Sequence, residues 1–394
     1  MNRMKALLAV ALLALLALAA CGGANASAVA AGTTVYRFGV VGNRGKIAQL
    51  ELKKPTVVAG ITGDVVQIAT SNSDGYALTS TGTVWAWGVA SYGELGDGQT
   101  RPYSTRAVKV DFPAGIRILA LPNPMPFDGA LAIDSSGHVW GWGLNGDGDL
   151  CLPGLVNLRP RRIPLSDVTL ATGARTHSLF DSHGKVYTCG SGDAGERGTG
   201  STATSSKPTA VVGLPRGARV AALTSSWEGS GALLSNGAYY DWGYNAAGQL
   251  GDGNTTDSDV PVHVKLAAKV RQVFQGGSGP TNGQTVAILS NGSVWTWGDN
   301  RRGQLGNGTT TSSDTPVRVH VPAHVRFVKI NSGGYSCYAI ASSGRLWAWG
   351  GNQNGQLGAG SSAHIETRPI DVGIRLTQIS STASNVAGLE RQPG

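Results

Sequence analysis

The chain has 394 residues and a net charge of +8, with only 14% of its residues charged. The charges are few and dispersed, so they indicate solubility and argue against a nucleic-acid-binding surface. The one basic cluster contains Arg159, Arg161 and Arg162, and we interpret it as a solvated loop because Pro160 and Pro164 interrupt it.

The first residues have the features of a secretory signal peptide. Arg3 and Lys5 precede an unbroken apolar run over residues 6–20, which suits a signal core and is short for a bilayer span. The sequence Leu-Ala-Ala-Cys that follows resembles the lipobox of bacterial lipoproteins, so Cys21 is predicted to be lipid-modified. The alternative is ordinary cleavage after a later alanine, Ala26 or Ala28.

Export and membrane attachment follow from this interpretation. We expect residues 1–20 to be removed and residues 21–32, which contain Gly22-Gly23, to form a flexible tether. No later segment is long and apolar enough to span a membrane. The sequence therefore predicts a protein of the cell envelope that is held at the membrane by its lipid alone, or is otherwise secreted.

A short motif of aromatic residues at alternate positions, followed by glycine, recurs along the rest of the chain. In Trp295-Thr-Trp297-Gly298 the two tryptophans are two residues apart, so both point to one face of an extended strand. Counted from the copy that closes at Gly88, the third copy is eroded, with Cys189 in place of the second tryptophan. The closing glycines recur every 47 to 55 residues, at Gly39, Gly88, Gly143, Gly190, Gly243, Gly298 and Gly350. A period of about 50 residues built from short strands is typical of propeller blades.

The sixth copy shows the predicted elements of one unit. Residues 325–330 and 335–341 predict two strands, and residues 345–349 predict a third that follows a tight Ser343-Gly344 turn. A glycine-rich stretch, residues 350–358, and a proline-containing excursion then lead to the next unit. No part of the mature chain shows a convincing helical period. We therefore predict an all-β fold of seven blades, which are typically four-stranded sheets.

The recurrent Gly-Gln-Leu-Gly turn has a predicted structural role. Its glycines allow positive φ and close approach of one backbone to another, and its leucine is predicted to plug the core beneath the turn. These leucines are Leu95, Leu250, Leu305 and Leu357.

The two ends of the chain predict how the ring closes. Residues 379–389 align with residues 330–340 of the sixth unit, and the register continues until the sequence stops at Gly394. The matching next strand is residues 34–39. We therefore predict a seventh blade shared by the C-terminal and N-terminal segments, which removes open sheet edges.

Repeats of the form Gly-x-Val-Trp-x-Trp-Gly-x-Asn-x-x-Gly-Gln-Leu-Gly resemble the regulator of chromosome condensation repeat family. Residues 241–262 and 297–317 match closely, and the resemblance covers residues 33–394. It implies a seven-bladed β-propeller over that range. The eukaryotic founder exchanges nucleotide on a GTPase and binds chromatin, whereas a secreted bacterial β-lactamase inhibitory protein presents aromatic loop residues to an enzyme. The predicted export makes a bacterial secreted member the closer analogy.

The chain departs from this family at one recurrent position. Family repeats often carry a histidine on the inner strand, three residues before an Ala-Leu pair. The corresponding positions here are Asp74, Gly129, Thr176, Gly229, Gln284, Ser336 and Asn385. This difference weakens the transfer of function from the family.

The sequence motifs of common catalytic and metal sites are missing. No phosphate-binding loop or nucleophile elbow occurs in the sequence. His320 and His324 flank a proline and are interpreted as solvated loop residues. Residues 145–149 resemble the start of a calcium loop but lack its later ligands, so they are interpreted as a turn. We expect no enzyme activity, no cofactor and no metal.

Three cysteines remain after Cys21, namely Cys151, Cys189 and Cys337. An odd number cannot form a disulfide framework, and none has a CxxC partner. Cys151 and Cys189 could pair between adjacent repeats, but the sequence does not decide this.

Binding residues are predicted in the same slot of successive units, because a propeller presents loops from all blades on one rim. The variable positions just before the vacant histidine slot are the predicted partner-binding residues Asn72, Phe127, Arg175, Trp227, Asn282 and Tyr335. Trp227 stands outside the Trp-x-Trp register, and aromatic residues often anchor interfaces. The alternative is that Phe127 and Trp227 pack between blades.

We expect a monomeric, non-catalytic ring that binds a protein or another component of the cell envelope and no nucleic acid. A carbohydrate-active or lectin-like propeller is an alternative, and it predicts paired carboxylates or several arginines at one mouth of the channel. Nucleotide exchange on a GTPase is a third hypothesis, and it requires a cytoplasmic location.

Overall fold

The computed structural model describes residues 33–41, 50–277, 279, 281–382 and 385–391. These residues form seven four-stranded antiparallel sheets, which confirms the predicted seven-bladed all-β propeller. Within the same residues no helix is long and apolar enough to cross a membrane. The predicted signal peptide, Cys21 and the tether lie outside the described residues.

The strands are numbered in chain order, and each blade runs from an inner to an outer strand. The outer half of blade 7 is β1 (Thr33–Val41) and β2 (Leu50–Val57). Blade 1 contains β3 (Val65–Thr70), β4 (Asp74–Thr79), β5 (Val84–Ala90) and β6 (Arg101–Lys109). Blade 2 contains β7 (Ile118–Ala120), β8 (Gly129–Asp134), β9 (Val139–Leu144) and β10 (Val156–Arg162). Blade 3 contains β11 (Val168–Gly173), β12 (His177–Ser182), β13 (Lys185–Gly190) and β14 (Ser205–Ala210).

The second half of the chain repeats this order. Blade 4 contains β15 (Val220–Ser225), β16 (Gly229–Leu234), β17 (Tyr239–Gly243) and β18 (Ser258–His263). Blade 5 contains β19 (Val270–Gly276), β20 (Gln284–Leu289), β21 (Val294–Gly298) and β22 (Ser313–Arg318). Blade 6 contains β23 (Phe327–Ser332), β24 (Ser336–Ala341), β25 (Arg345–Gly351) and β26 (Ile365–Arg375). The inner half of blade 7 is β27 (Gln378–Thr382) and β28 (Asn385–Arg391).

Blade 7 joins the two ends of the chain, as the sequence predicts. β1 pairs with β28, and Val35 lies opposite Leu389 while Phe38 lies opposite Val386. β27 then contacts β23 of blade 6 and β3 of blade 1. Each end of the chain therefore supplies two strands, and the ring closes without a free edge between blades.

The proline-containing excursion of each repeat is the fourth, outermost strand. The prolines share one register in six of the seven blades, at Pro55, Pro160, Pro208, Pro261, Pro316 and Pro369. An outer strand tolerates proline because its outward side needs no backbone N–H donor. The interpretation of Arg159, Arg161 and Arg162 as a loop is wrong for the same reason, since all three lie in β10.

A glycine–tryptophan contact joins one blade to the next. A Cβ on Gly306 would lie 2.7 Å from Nε1 of Trp349, and that nitrogen donates a hydrogen bond to the carbonyl of Gln304 at 2.9 Å. Leu305 between them is fully buried, which confirms the predicted core plug. Equivalent contacts are Gly96 with Trp142, Gly198 with Trp242, Gly251 with Trp297, and Gly358 with Phe38.

Blades 2 and 3 are joined by a disulfide bond instead. Cys151 follows Leu150 where the other repeats have the turn glycine, and its φ of 53° is close to the 62° of Gly306. Cys189 stands where five of the other blades have the second tryptophan and blade 7 has Phe38, and the two cysteines are bonded. The unit that looks eroded in sequence therefore keeps its contact with blade 2 by a different chemistry.

Candidate functional site

The inner strands surround a narrow central opening. Glutamine side chains on these strands form hydrogen bonds to the neighbouring blades. Gln67 of β3 accepts a hydrogen bond from the backbone N–H of Leu121 at 2.9 Å and donates one to the carbonyl of the same residue at 2.6 Å. Gln378 of β27 donates to the carbonyl of Val66 at 2.7 Å. Each side chain thus links its inner strand to the neighbouring blade. The cavity at the mouth measures only about 30 Å³, room for about one water molecule.

One end of this opening, which we call the mouth, is lined by residues from all seven blades. Arg175 is the single charged side chain among the described lining residues. The lectin-like or enzymatic hypothesis predicts paired carboxylates or several arginines converging at one mouth. The composition of this mouth does not match that prediction.

Three of the predicted partner-binding residues meet at the mouth and are called here the mouth cluster: Phe127, Arg175 and Trp227. The rings of Phe127 and Trp227 are edge to face, with centroids 5.0 Å apart. The guanidinium carbon of Arg175 lies 4.2 Å from the centroid of the Trp227 ring, which is a cation–π contact. Blades 2, 3 and 4 each contribute one of the three side chains.

Hydrogen bonds between loops hold this cluster in place. The backbone N–H of Phe127 donates to the carbonyl of Ala174 at 3.0 Å, and that of Asn72 donates to the carbonyl of Phe127 at 3.0 Å. The hydroxyl of Thr176 donates to the carbonyl of Trp227 at 3.1 Å. Loops from four consecutive blades are therefore connected, and Asn72 lines the same mouth.

The mouth cluster is accessible to solvent. Arg175 is exposed, and Phe127 and Trp227 are half-buried. The two aromatic rings come from blades 2 and 4 and pack on each other, as the packing alternative expects, and both stay partly exposed at the mouth. Glu228 lies beside them, and burial and the charge of Glu196 raise the pKa of its carboxyl group while Arg175 lowers it.

The other two predicted residues form a separate pair on blades 5 and 6. The side-chain amide of Asn282 donates a hydrogen bond to the hydroxyl of Tyr335 at 2.7 Å, and Asn282 is 5% exposed. The guanidinium of Arg302 lies 5.9 Å from the ring centroid of Tyr335. The sequence did not single out Arg302, although it fills a turn position that varies between repeats. Neither Asn282 nor Tyr335 lines the mouth.

The structure corrects the assignment of one vacant histidine position. His177 lies opposite Gly190 in the register that places Asp74 opposite Gly88, so the position in blade 3 holds His177 and not Thr176. His177 is fully buried, and its Nε2 is 2.6 Å from the hydroxyl oxygen of Ser230 in blade 4. Burial lowers the pKa of His177 to about 3, so the ring is neutral and links two blades.

Buried acids lie between the blades as well. Burial and the charge of Glu94 raise the pKa of Asp74 well above its usual range, and the hydroxyl of Ser71 donates to Asp74 at 2.7 Å. Neither acid lines the mouth. In the part of the chain that the structure describes, no three His, Cys, Asp or Glu side chains are grouped to bind a metal.

Comparison with known proteins identifies the repeat. The family model for the "Regulator of chromosome condensation (RCC1) repeat" matches residues 236–279, 291–340 and 343–387. The RCC1 domain-containing protein RUG3, mitochondrial, from Arabidopsis thaliana is 31% identical over 313 residues, which are 75% of this chain and 67% of RUG3. The chain belongs to the RCC1 repeat family.

Other relatives and solved structures agree with this assignment. The RCC1-family chain is 28% identical to the ultraviolet-B receptor UVR8 of Arabidopsis thaliana over 86% of its own length and 78% of the receptor. It matches human HERC2, an E3 ubiquitin-protein ligase, at 25% identity over only 6% of that protein. Human WBSCR16 has the same fold, with a TM-score of 0.79, 21% identity, and coverage of 92% of this chain and all of that one.

The yeast protein Prp20p shares the fold at a TM-score of 0.74 and 18% identity, with 93% of each chain covered. The named relatives come from plants, animals and yeast, so the bacterial origin and the export of this chain stay predictions. An RCC1-type propeller is consistent with a protein-binding or regulatory role.

Proposed function

We propose that this RCC1-family propeller is an exported, lipid-anchored module that binds a protein partner of the cell envelope at its mouth cluster and does not catalyse a reaction. The observation that carries the proposal is the stacking of Arg175 on Trp227. The stack holds the guanidinium in place, and Arg175 forms no salt bridge with any described residue, although its charge acts on the nearby Glu228. Its N–H groups are therefore available to a carboxylate or carbonyl group of a partner.

The residue types of the mouth cluster suit a protein interface. Tryptophan and arginine are the commonest residues at the energetic centre of such interfaces. A side chain that is already ordered loses little entropy on binding, and here Phe127 and Arg175 both restrain Trp227. The same contact argues against a sugar site, because Arg175 covers one face of the indole on which a sugar would stack.

Two further observations support export. The apolar run over residues 6–20 leads directly into Leu-Ala-Ala-Cys21. The buried disulfide between Cys151 and Cys189 is a bond that persists in oxidising compartments and is rare in the cytosol. Prp20p of Saccharomyces cerevisiae binds Gsp1p and histones. An exported chain would not meet such intracellular partners, which favours an envelope protein as the ligand.

A pull-down from envelope extract tests the binding role. Trp227→Ala and Arg175→Ala should each lower recovery of the partner by about thirtyfold, since a central interface residue contributes about 2 kcal/mol or more. Tyr92→Ala is the control, because Tyr92 is an exposed aromatic residue outside the mouth cluster. Equal recovery with all three variants would refute the proposed site.

Lipid labelling tests the anchor independently. Palmitate should label the wild-type chain and not Cys21→Ser. Labelling that persists in Cys21→Ser would place the modification elsewhere, and no labelling of the wild type would favour simple cleavage after Ala26 or Ala28.

A further inference from the structure

The two ends of the propeller differ in charge. The basal end is defined here by the connections from second to third strands and from each outer strand to the next blade. Among the described residues, these connections carry three aspartates and six basic residues, namely Arg117, Arg216, Arg219, Lys265, Lys269 and Arg326. The remaining connections, which join strands at the mouth end, carry eleven carboxylates and four arginines in the described part of the chain. The charges that look dispersed in sequence are segregated by the fold.

Several outer strands extend the positive charge of the basal end. Four of them finish there in a basic residue, at Lys109, Arg162, Arg318 and Arg375. All four of these side chains are exposed. A surface with this charge attracts anionic partners.

The basal connections on either side of blade 4 combine basic and apolar side chains. Arg216 and Arg219 lie in the connection before β15, and Lys265 and Lys269 lie in the connection before β19. All four are exposed, and none forms a salt bridge with a described residue. Val212 in the first connection is 45% exposed. Basic residues beside exposed apolar ones are typical of surfaces that rest on anionic lipid headgroups.

The N-terminus of the propeller lies at the same end. Thr33 begins β1 and pairs with Arg391, and its hydroxyl accepts a hydrogen bond from the backbone N–H of Val65 at 2.8 Å. Val65 is the first residue of β3 and marks the basal end of blade 1. Residues 21–32 can span about 40 Å when fully extended. A lipid on Cys21 would therefore keep the basal end close to the membrane.

We infer that the basal end of the propeller docks on an anionic phospholipid surface and leaves the mouth cluster facing away from the membrane. The inference rests on the proposed export. The sequence predicts membrane attachment through the lipid alone, and the inference adds a second contact, between the basal end of the propeller and the lipid headgroups. Docking would hold the ring in one orientation, with the partner-binding end open to the envelope.

Chemical labelling of lysine can test this orientation. The exported chain is mixed with phosphatidylcholine vesicles that contain either no phosphatidylglycerol or about 30% of it, and exposed amines are acylated. We expect labelling of Lys265 and Lys269 to slow at least fivefold on the anionic vesicles and to recover at high salt. Lys207 is the internal control, because it is exposed on β14 near the mouth end.

Matched variants define the surface. Arg216→Gln with Arg219→Gln removes two charges from the basal end and should weaken the affinity for anionic vesicles about thirtyfold, since each basic residue near an anionic surface contributes a factor of about five, so that the protection of Lys265 and Lys269 is largely lost. Arg301→Gln with Arg302→Gln removes two charges from the mouth end and should leave the protection of Lys265 and Lys269 on anionic vesicles unchanged.

Equal labelling on both kinds of vesicle would overturn the docking and leave the partner pull-down and palmitate results standing. Equal protection of Lys207 would show that binding is not confined to the basal end. Protection by soluble DNA at the same salt concentration would identify a general polyanion site in place of a lipid surface.

Discussion

The joint between blades 2 and 3 and the joint between blades 5 and 6 connect neighbouring blades in two different ways. We use the term joint for the contact between the turn of one blade and the third strand of the next blade. Blade 6 presents Trp349 to the turn of blade 5, and Gly306 leaves room for its indole ring. Blade 3 presents Cys189, which is bonded to Cys151 of blade 2. The first joint depends on close packing and the second on a covalent bond, so the same ring position should respond to different perturbations.

The joint between blades 3 and 4 adds a third behaviour. It contains a glycine–tryptophan contact between Gly198 and Trp242, and also the buried contact between His177 and Ser230. The neutral form of His177 is the one that fits this site. Close packing, a disulfide and a titratable side chain thus occur at three joints of one ring.

Gly306→Ala should have the largest effect, a loss of about 4 kcal/mol in the free energy of unfolding. The new Cβ would lie 2.7 Å from the Trp349 indole, and the φ of 62° disfavours a side chain. Gly115→Ala is the control, because Gly115 also has a positive φ, 82°, but no atom lies within 4 Å of the place that its new Cβ would take. Urea denaturation followed by fluorescence measures both, and equal losses would mean that the indole contact is unimportant.

Loss of the disulfide should cost about 3 kcal/mol. The bond closes a loop with a sequence separation of 38 residues, for which the chain entropy of the unfolded state gives an upper value of about 4 kcal/mol, and relaxation of the native state lowers the realised amount. Cys151→Ala with Cys189→Ala should therefore be less stable than the wild type and insensitive to a reductant. A wild-type denaturation curve that does not respond to a reductant would contradict this expectation.

A paired replacement sharpens the same comparison. Cys151→Gly with Cys189→Trp installs the residues that the other joints use. We expect this variant to recover part of the lost stability relative to the double alanine variant and to remain insensitive to a reductant. No recovery would mean that the neighbouring core has adapted to the cysteines.

His177→Gln should have the smallest effect at neutral pH, a loss of about 1 to 2 kcal/mol from the broken contact with Ser230. The pKa of His177 is about 3 in the folded protein and about 6.5 when unfolded. The unfolded chain therefore binds the extra proton first, and the stability due to neutral His177 is fully present above pH 6.5 and is lost as the pH falls towards 3.

The pH dependence distinguishes this joint from the others. The stability of the wild type should fall more steeply than that of His177→Gln between pH 6.5 and 4.5, by about 1.4 kcal/mol per pH unit. His324→Gln is the control, because His324 is exposed on a basal connection. Parallel profiles for the wild type and His177→Gln would show that His177 titrates normally.

Most of the fold could be predicted from the sequence because the repeat fixes it. The spacing of the closing glycines indicated seven blades, and the alignment of residues 379–389 indicated the shared blade. Leu305 and its equivalents are buried as predicted. The sequence analysis did not assign the fourth strand of each blade to the proline-containing segment, because proline normally argues against a strand. Proline is tolerated there because the fourth strand lies at the edge of the sheet.

The errors at single positions have identifiable causes. Blade 3 has Leu179-Phe180 where other units have an Ala-Leu pair nearby, so the alignment shifted by one residue and selected Thr176 in place of His177. The disulfide had a usable signal, since Cys151 replaces the turn glycine and Cys189 replaces the aromatic residue at positions that face each other in five other pairs of neighbouring blades among the described residues.

The candidate site was predictable only as a set of positions. The equivalent position in successive repeats predicted Phe127, Arg175 and Trp227 as binding residues, but it also predicted that Asn282 and Tyr335 lie with them. Contact between blades 2 and 4 depends on how narrow the central opening is, and no local pattern encodes that distance. The segregation of charge is hidden for a similar reason, because basal and mouth connections alternate along the chain.

The shared blade also sets an order of events during synthesis. β1 is among the first strands to be made, yet its partner β28 is made last. Until then β1 can pair only with β2, and its ladder with β28 is missing. Completion of the ring is therefore tied to synthesis of β28, and a product truncated before β28 would keep an unpaired edge on β1 that exposes it to proteolysis.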